Sequence, residues 1–246
     1  MQVKLIHDNS WSYPIHRLRD ELAKAGVIEL LFTKFDNFLH AHGFRAQKGQ
    51  IVDASIVRVP TQRNTREENK DIKEGKSISS WSKAKRRQKD TAGRWTKKNG
   101  KSFFGYKNHV SIDVGHKFIR SYDVTDASVH DSQVFTELLD PSNTSKDVWA
   151  DSAYRSEDSL QELQDQGFRE HIQRKGCRHK KLTAREKQGN RSRARIRCRV
   201  EHVFGVMAMR TGGTVMRGIG AVRIKAKIGL RNMAYNMTRF AMLVAP

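Results

Sequence analysis

Hydrophobic side chains recur along this chain with two periods, and the switches between them mark out its elements. From Ile15 the spacing is helical: Leu18, Leu22 and Ala25, then Val27, Leu31, Phe35, Phe38 and Leu39 after a break at Gly26, with Gly43 as the stop. This predicts a pair of packing helices. Gln50–Val59 is a short β-branched run closed by Pro60, which reads as a first, buried strand. Phe103–Val114 alternates through Phe104, Tyr106, Val110, Ile112 and Val114; Gly115-His116 makes a turn, and Phe118–Val124 reads as the returning strand of a hairpin. Ser128–Leu139 has helical spacing, and Lys146–Tyr154 reads as a strand. Ser156–Gly167 reads as a helix capped by Ser156, and Glu170–Gln173 as a further short strand. Ile196, Val200, Val203, Phe204 and Met207 form the stripe of a helix over Ile196–Met209, broken at Gly212-Gly213. A second stripe, Leu230, Met233, Met237, Ala241 and Val244, predicts a last packing helix.

Two segments lack either period. Thr61–Gly100 is rich in charge, with isolated tryptophans at Trp81 and Trp95, and Lys175–Ala194 is very basic. The first reads as a long polar loop. Its cations and tryptophans could bind phosphates and stack on bases, or simply form a solvated surface insertion. Charge changes the picture most. The 246 residues hold 47 Lys+Arg against 26 Asp+Glu, a net charge of +21, which points to a phosphate polyanion as partner. The surplus is uneven: residues 63–101 carry 14 basic and 5 acidic side chains, residues 102–168 carry 5 and 12, and residues 169–199 carry 13 and 2. Acids therefore concentrate between two strongly basic segments. Two cysteines, Cys177 and Cys198, argue against a disulfide framework and fit a reducing compartment. The chain shows neither a membrane-spanning apolar run nor a signal-peptide layout, so a cytoplasmic location and no membrane partner are expected.

Inside the apolar runs sit two carboxylates. Asp53 interrupts Gln50–Val57, and Asp151 ends Val148-Trp-Ala-Asp. A lone buried carboxylate is costly unless a partner or a metal compensates it. A third acid, Glu201, lies in a helical pattern dense with arginine, four residues after Arg197. Three carboxylates from different elements suit a pair of Mg²⁺ ions about 4 Å apart, the arrangement that serves in-line phosphoryl transfer. Blander readings stand beside this one: strand-end acids accepting backbone N–H bonds for Asp53 and Asp151, and a salt bridge to Arg197 for Glu201. Asp113, Asp123, Asp126 and Asp131 are competing ligands, and His109, His130 and His202 are possible ligands or acid–base groups. No phosphate-binding glycine loop and no Ser-His-Asp or Cys-His signature stands out.

A specific resemblance is carried by Ile51-Val-Asp-Ala-Ser-Ile-Val57, Gln62-Arg-Asn-Thr-Arg-Glu-Glu-Asn-Lys70 and Gly105-Tyr-Lys-Asn108. It continues through His130-Asp-Ser132, Val148-Trp-Ala-Asp-Ser-Ala-Tyr154 and Arg199-Val-Glu-His-Val-Phe-Gly205. From about Glu21 to near its C-terminus the chain resembles the DDE transposases of the insertion-sequence-five family. The resemblance implies an α/β, ribonuclease-H-like mixed sheet flanked by helices, with a basic insertion after the first strand. It places the catalytic, metal-binding triad on Asp53, Asp151 and Glu201, with Asp53 ending the first strand and Asp151 the fourth. It implies two Mg²⁺ ions, with Mn²⁺ as a substitute. The implied partner is double-stranded DNA, as transposon ends and target, bound by a homo-oligomer associated with the bacterial nucleoid. The implied reaction is cleavage at the element's ends and attack of the freed 3′-OH on the target.

Lys107, Arg197, Arg210, Arg63, Arg66 and Lys70 are the expected DNA contacts. The expected domains are a helical segment over residues 1–49, a catalytic domain over 50–210 with the basic insertion at 61–101, and a helical tail over 211–246. Two departures stand out. Where related families carry a tyrosine and a lysine around the glutamate, this chain has Ala194 and Ala208, with Arg210 two residues on. Family members also begin with a longer helical part, which implies a truncated copy here. The alternative function is then a catalytically silent DNA-binding remnant.

Overall fold

Strand β1 (Gln50–Arg58) is the axis of a six-stranded mixed sheet. The computed structural model describes residues 12–62, 64–76, 81–210, 213 and 215–245. Along one edge β1 pairs antiparallel with β3 (Lys101–Asp113), and along the other it pairs parallel with β5 (Asp147–Ala150). Next to β5 lies β6 (Arg169–Ile172), again parallel. The far edge of β3 is shared by two strands: β2 (Arg94–Lys98) pairs with its first residues and β4 (Ile119–Asp126) with the rest. Leaving β2 aside, the order is β4-β3-β1-β5-β6 with only β3 reversed. This is the ribonuclease-H-like mixed sheet expected from the resemblance.

Alternation along β1 divides the core into two layers. Ile51 and Trp149 face one side, where they pack with Val200, Val203 and Met207 of α6 (Ala184–Arg210) and Tyr235 of α7 (Ala221–Val244). Val52, Val148 and Ala150 face the other, against Phe135, Tyr154, Phe168 and Leu163 of α5 (Glu157–Asp165). The two N-terminal helices, α1 (Ser12–Lys24) and α2 (Val27–Ala41), lie against α7 on the first side. Amide pairs seat α7 on the sheet: Asn232 and Asn108 exchange hydrogen bonds of 2.9 and 3.1 Å. Asn236 accepts from the Ile119 N–H at 2.9 Å and donates to its carbonyl at 2.8 Å. Gly229 lets the helix approach closely; a Cβ there would sit 2.4 Å from the Tyr122 hydroxyl.

Three expectations need correction. The insertion after β1 is folded. Thr65 and Glu68 cap α3 (Arg66–Lys73) reciprocally, Ser82 caps α4 (Lys83–Gln88), and Lys85 pairs with Glu68 between them. Buried Asp90 accepts from the Ala92 and Gly93 N–H groups, both at 3.0 Å, and from the Tyr106 hydroxyl, which ties the insertion to β3. Trp81 is buried, with Lys85 Nζ 4.7 Å from its ring centre, so it offers no face to a base; Trp95 is exposed. Ser128–Leu139 is not a helix but two 3₁₀ turns, Asp131–Val134 and Thr136–Leu138. Pro141 disfavours a helical Asp140, and Leu139 is already extended. The basic segment before Ile196 is largely helix: α6 starts at Ala184 and runs for 27 residues. Thr183 and Glu186 cap it, with bonds of 2.9 Å from the Thr183 N–H and 3.2 Å from the Glu186 N–H.

Candidate active site

Asp53 and Asp151 meet through strand register. Ile51 pairs with Trp149 across the parallel strands, so each aspartate lies two residues beyond the same rung. Even spacing then turns both toward the side covered by α6. Asp53 lies within β1, which continues to Arg58; it does not end the strand. Asp151 is the first residue after β5, the fifth strand in the chain and the fourth of the core sheet once β2 is set aside. Its Oδ1 accepts the Ala153 N–H at 2.7 Å and so caps a short 3₁₀ turn, Ser152–Tyr154. Asp53 Oδ1 accepts its neighbour's N–H, that of Ala54, at 2.8 Å.

Glu201 arrives from above on α6, and Arg197 links it to the sheet. The Arg197 Nη1–H donates to Asp53 Oδ2 and the Nη2–H to Glu201 Oε1, each at 2.7 Å. One guanidinium therefore joins two of the three acids. The blander readings hold as local geometry: both aspartates accept backbone N–H groups, and Glu201 is paired with Arg197. They leave Asp53 undercompensated. Burial pushes its carboxyl up to about 6 against the pull of Arg197 and Ala54, and the nearby charge of Asp151 adds to the rise.

Two groups absent from the expected site interact with it electrostatically. Tyr154 is fully buried, and its hydroxyl has no hydrogen-bond partner among the described residues. Burial raises its phenol well above the usual range, and the charges of Asp53, Asp131 and Asp151 raise it further. Lys98, at the end of β2, adds a positive charge that favours ionised Asp53. Neither signal was readable: a Tyr three residues after an acid looks like core, and Lys98 is one cation among many in the insertion.

Of the competing acids, Asp113 is committed elsewhere. It accepts from the His116 N–H at 2.6 Å, the Phe118 N–H at 3.1 Å and Arg120 Nε at 2.9 Å in the β3–β4 turn. Asp126 accepts from the Ser128 N–H, and His130 caps the Asp131–Val134 turn. Asp123 stands opposite His109 in the β3–β4 pairing. His109 is buried, with Nε2 2.9 Å from Thr125 Oγ1, and burial lowers its imidazole to about 4. His202 lines a groove between α6 and α7 together with Arg210. Lys107 donates to the Val129 carbonyl at 2.6 Å and to Asp131 Oδ1 at 2.7 Å. Arg66 is exposed at the start of α3, and Lys70 lies 3.9 Å from Glu74. Arg63 lies outside the described residues.

A family model described as a transposase DDE domain matches residues 45–237, a span that contains all three acids. The chain belongs to the DDE transposase family. One relative is the transposase for insertion sequence element IS1106 of Neisseria meningitidis serogroup B. It is 27% identical over 227 residues, covering 92% of this chain and 77% of the relative. No solved structure shows a significant match. For a DDE transposase the donor set suits a divalent cation. Asp53, Asp151 and Glu201 supply hard oxygens, and the raised carboxyl of Asp53 marks a site short of positive charge. No cluster of three or more His, Cys, Asp or Glu side chains is already gathered to hold a metal among the described residues. Among those residues, no helix is long and apolar enough to cross a membrane.

Proposed function

We propose that this chain is a DNA transposase of the insertion-sequence-five type that cuts the ends of its element and joins them to target DNA, with Asp53, Asp151 and Glu201 as its catalytic acids. The observation that carries the reading is the shared register of Asp53 and Asp151 on adjacent parallel strands, with Glu201 joined to Asp53 through Arg197. Asp53 and Asp151 would hold divalent cations, Mg²⁺ or Mn²⁺, and Glu201 would complete the second ligand set. Bound there, the metal supplies Lewis-acid activation of the attacking oxygen and stabilises the leaving one. Arg197 keeps Asp53 and Glu201 close in charge balance; released from them, its guanidinium faces a DNA phosphate. The reading extends to a homo-oligomer working on paired ends at the nucleoid. It also extends to a domain division at residues 49–50 and 210–211, with the insertion 61–101 inside the catalytic part.

The test is divalent-metal-dependent nicking of a duplex carrying the element's end. Ala at Asp53, Asp151 or Glu201 is expected to lower the cleavage rate by at least about 10³-fold with DNA binding retained. An Asp151→Ala variant that cuts like the parent would remove the triad assignment. The double ion pair of Arg197 also supports a second reading, a silent DNA-binding remnant in which that arginine permanently neutralises the acids. Steeply salt-dependent binding with no cleavage in either metal would favour it.

A further inference from the structure

Where the chain leaves β6, Arg155, Arg174, Lys175, Lys180 and Lys181 line, with Glu186, a cavity of about 170 Å³. Arg155 directly follows the turn that Asp151 caps, and Arg174 lies two residues beyond the end of the neighbouring parallel strand. The cavity is therefore at the same end of β5 and β6 as Asp151. Its loop is fixed. Cys177 and Lys180 exchange backbone hydrogen bonds of 3.0 and 3.2 Å. Asn190 of α6 accepts the Arg174 N–H at 2.9 Å and donates to its carbonyl at 2.8 Å. The helix that carries Glu201 about three turns further on thus holds this loop in place.

The charge of the cavity is not balanced from within. Glu170 is the acid shared by its arginines, 3.1 Å from Arg155 Nη1 and 3.7 Å from Arg174 Nη2. Even so, Arg155 Nη1 is buried and, among the described residues, lacks an acceptor in hydrogen-bonding geometry. Glu186 is engaged with the Thr183 N–H and hydroxyl. Lys175, Lys180 and Lys181 are exposed, and among the described residues they form no ion pair within 4 Å. A fixed loop, surplus cations and an unsatisfied guanidinium N–H ask for anionic oxygen. No aromatic ring lines the cavity, so a base would find nothing to stack on.

We propose that this cradle seats a backbone phosphate of the DNA strand, beside the bond that the acids cut. The proposal rests on the transposase reading and adds to it a contact that is indifferent to sequence. The experiment uses the full chain, a fluorescent duplex and no divalent cation, with affinity measured over a salt series. The triple variant Lys175→Ala/Lys180→Ala/Lys181→Ala should bind at least about tenfold more weakly at physiological salt. Its log–log salt slope should be shallower by about 0.9 for each phosphate that is no longer neutralised, equally on end and unrelated duplexes. Unchanged affinity and slope would overturn the proposal.

Cys177, exposed at this cavity, gives a second measurement that does not depend on the variant's folding. Duplexes with a disulfide tether on single phosphates flanking the cut should couple to Cys177, and coupling should vanish in Cys177→Ser. Coupling through Cys198 alone, which is exposed on α6, would contradict the placement. If the parent binds through the cradle but never cuts, the transposase reading fails and the phosphate site stands. If it cuts while the triple variant binds like the parent, the cradle fails and the transposase reading stands.

Discussion

Asp113 and Asp53 are buried acids on paired strands of one sheet, and their surroundings differ in kind. Asp113 has its two oxygens filled by two backbone N–H groups and by Arg120, which itself holds Asp36 at 2.9 Å and the Phe44 carbonyl at 2.7 Å. It is a closed network that holds a hairpin turn to α2 and the segment after it. Asp53 has one backbone N–H and one guanidinium shared with another acid, and its carboxyl is pushed up by burial. Asp113 is satisfied by the fold; Asp53 is left short of positive charge, which a divalent cation would supply in the proposed catalytic role. Replacing the first should therefore cost stability, and replacing the second should add it.

The largest expected effect is at the closed network. Asp113→Ala strands two buried N–H groups and weakens the compensation of Arg120, so urea unfolding should show a loss of about 3–5 kcal/mol. A loss below about 1 kcal/mol would break the contrast. Next is His109, on the same strand as Asp113. Its folded-state imidazole is lowered from 6.5 to about 4, so the unfolded chain binds more protons between those values. Stability is present above about 6.5 and declines as the pH falls toward 4, by roughly 3 kcal/mol in all. In His109→Asn this acid slope should flatten.

Asp53→Asn should act in the opposite direction. Its folded carboxyl is raised from 3.8 to about 6, so the stability linked to the protonated form is present below 3.8 and lost as the pH rises through 6. At pH 7 without divalent ions the variant should be more stable than the parent by about 1–3 kcal/mol, and the gap should close below pH 3.8. Thermal melts of both proteins across pH would show this; a destabilised variant would place Asp53 with Asp113. The smallest effect is at the far end of the helix that brings Glu201. Thr183→Ala removes a cap worth about 1 kcal/mol. Hydrogen exchange should rise in the first turn of α6 and stay unchanged around Glu201.

What could be read in advance follows the same division. Strand β1, the β3–β4 hairpin, β5, α5 and the two late helices announce themselves because apolar side chains mark their buried faces. Asp53 and Asp151 stood out as charges inside such runs, and the family words joined Glu201 to them. The insertion and the first half of α6 were missed because capping boxes and one buried aspartate, Asp90, order them with few apolar residues. Tyr154 and Lys98 were missed at the site because only the folded register brings them to Asp53. The hub role of Asp113 depends on the turn after it and on Arg120, seven residues on, and no spacing rule points to it.

The most direct measurement is Mn²⁺ binding to the apo chain, followed by loss of the free-ion signal in electron paramagnetic resonance. The parent should bind Mn²⁺ at neutral pH, Mg²⁺ should compete, and Asp53→Asn and Asp151→Asn should each reduce affinity at least about tenfold, while Asp123→Asn binds like the parent. Equal binding by the parent and both site variants would contradict the claim that Asp53 and Asp151 form a cation site.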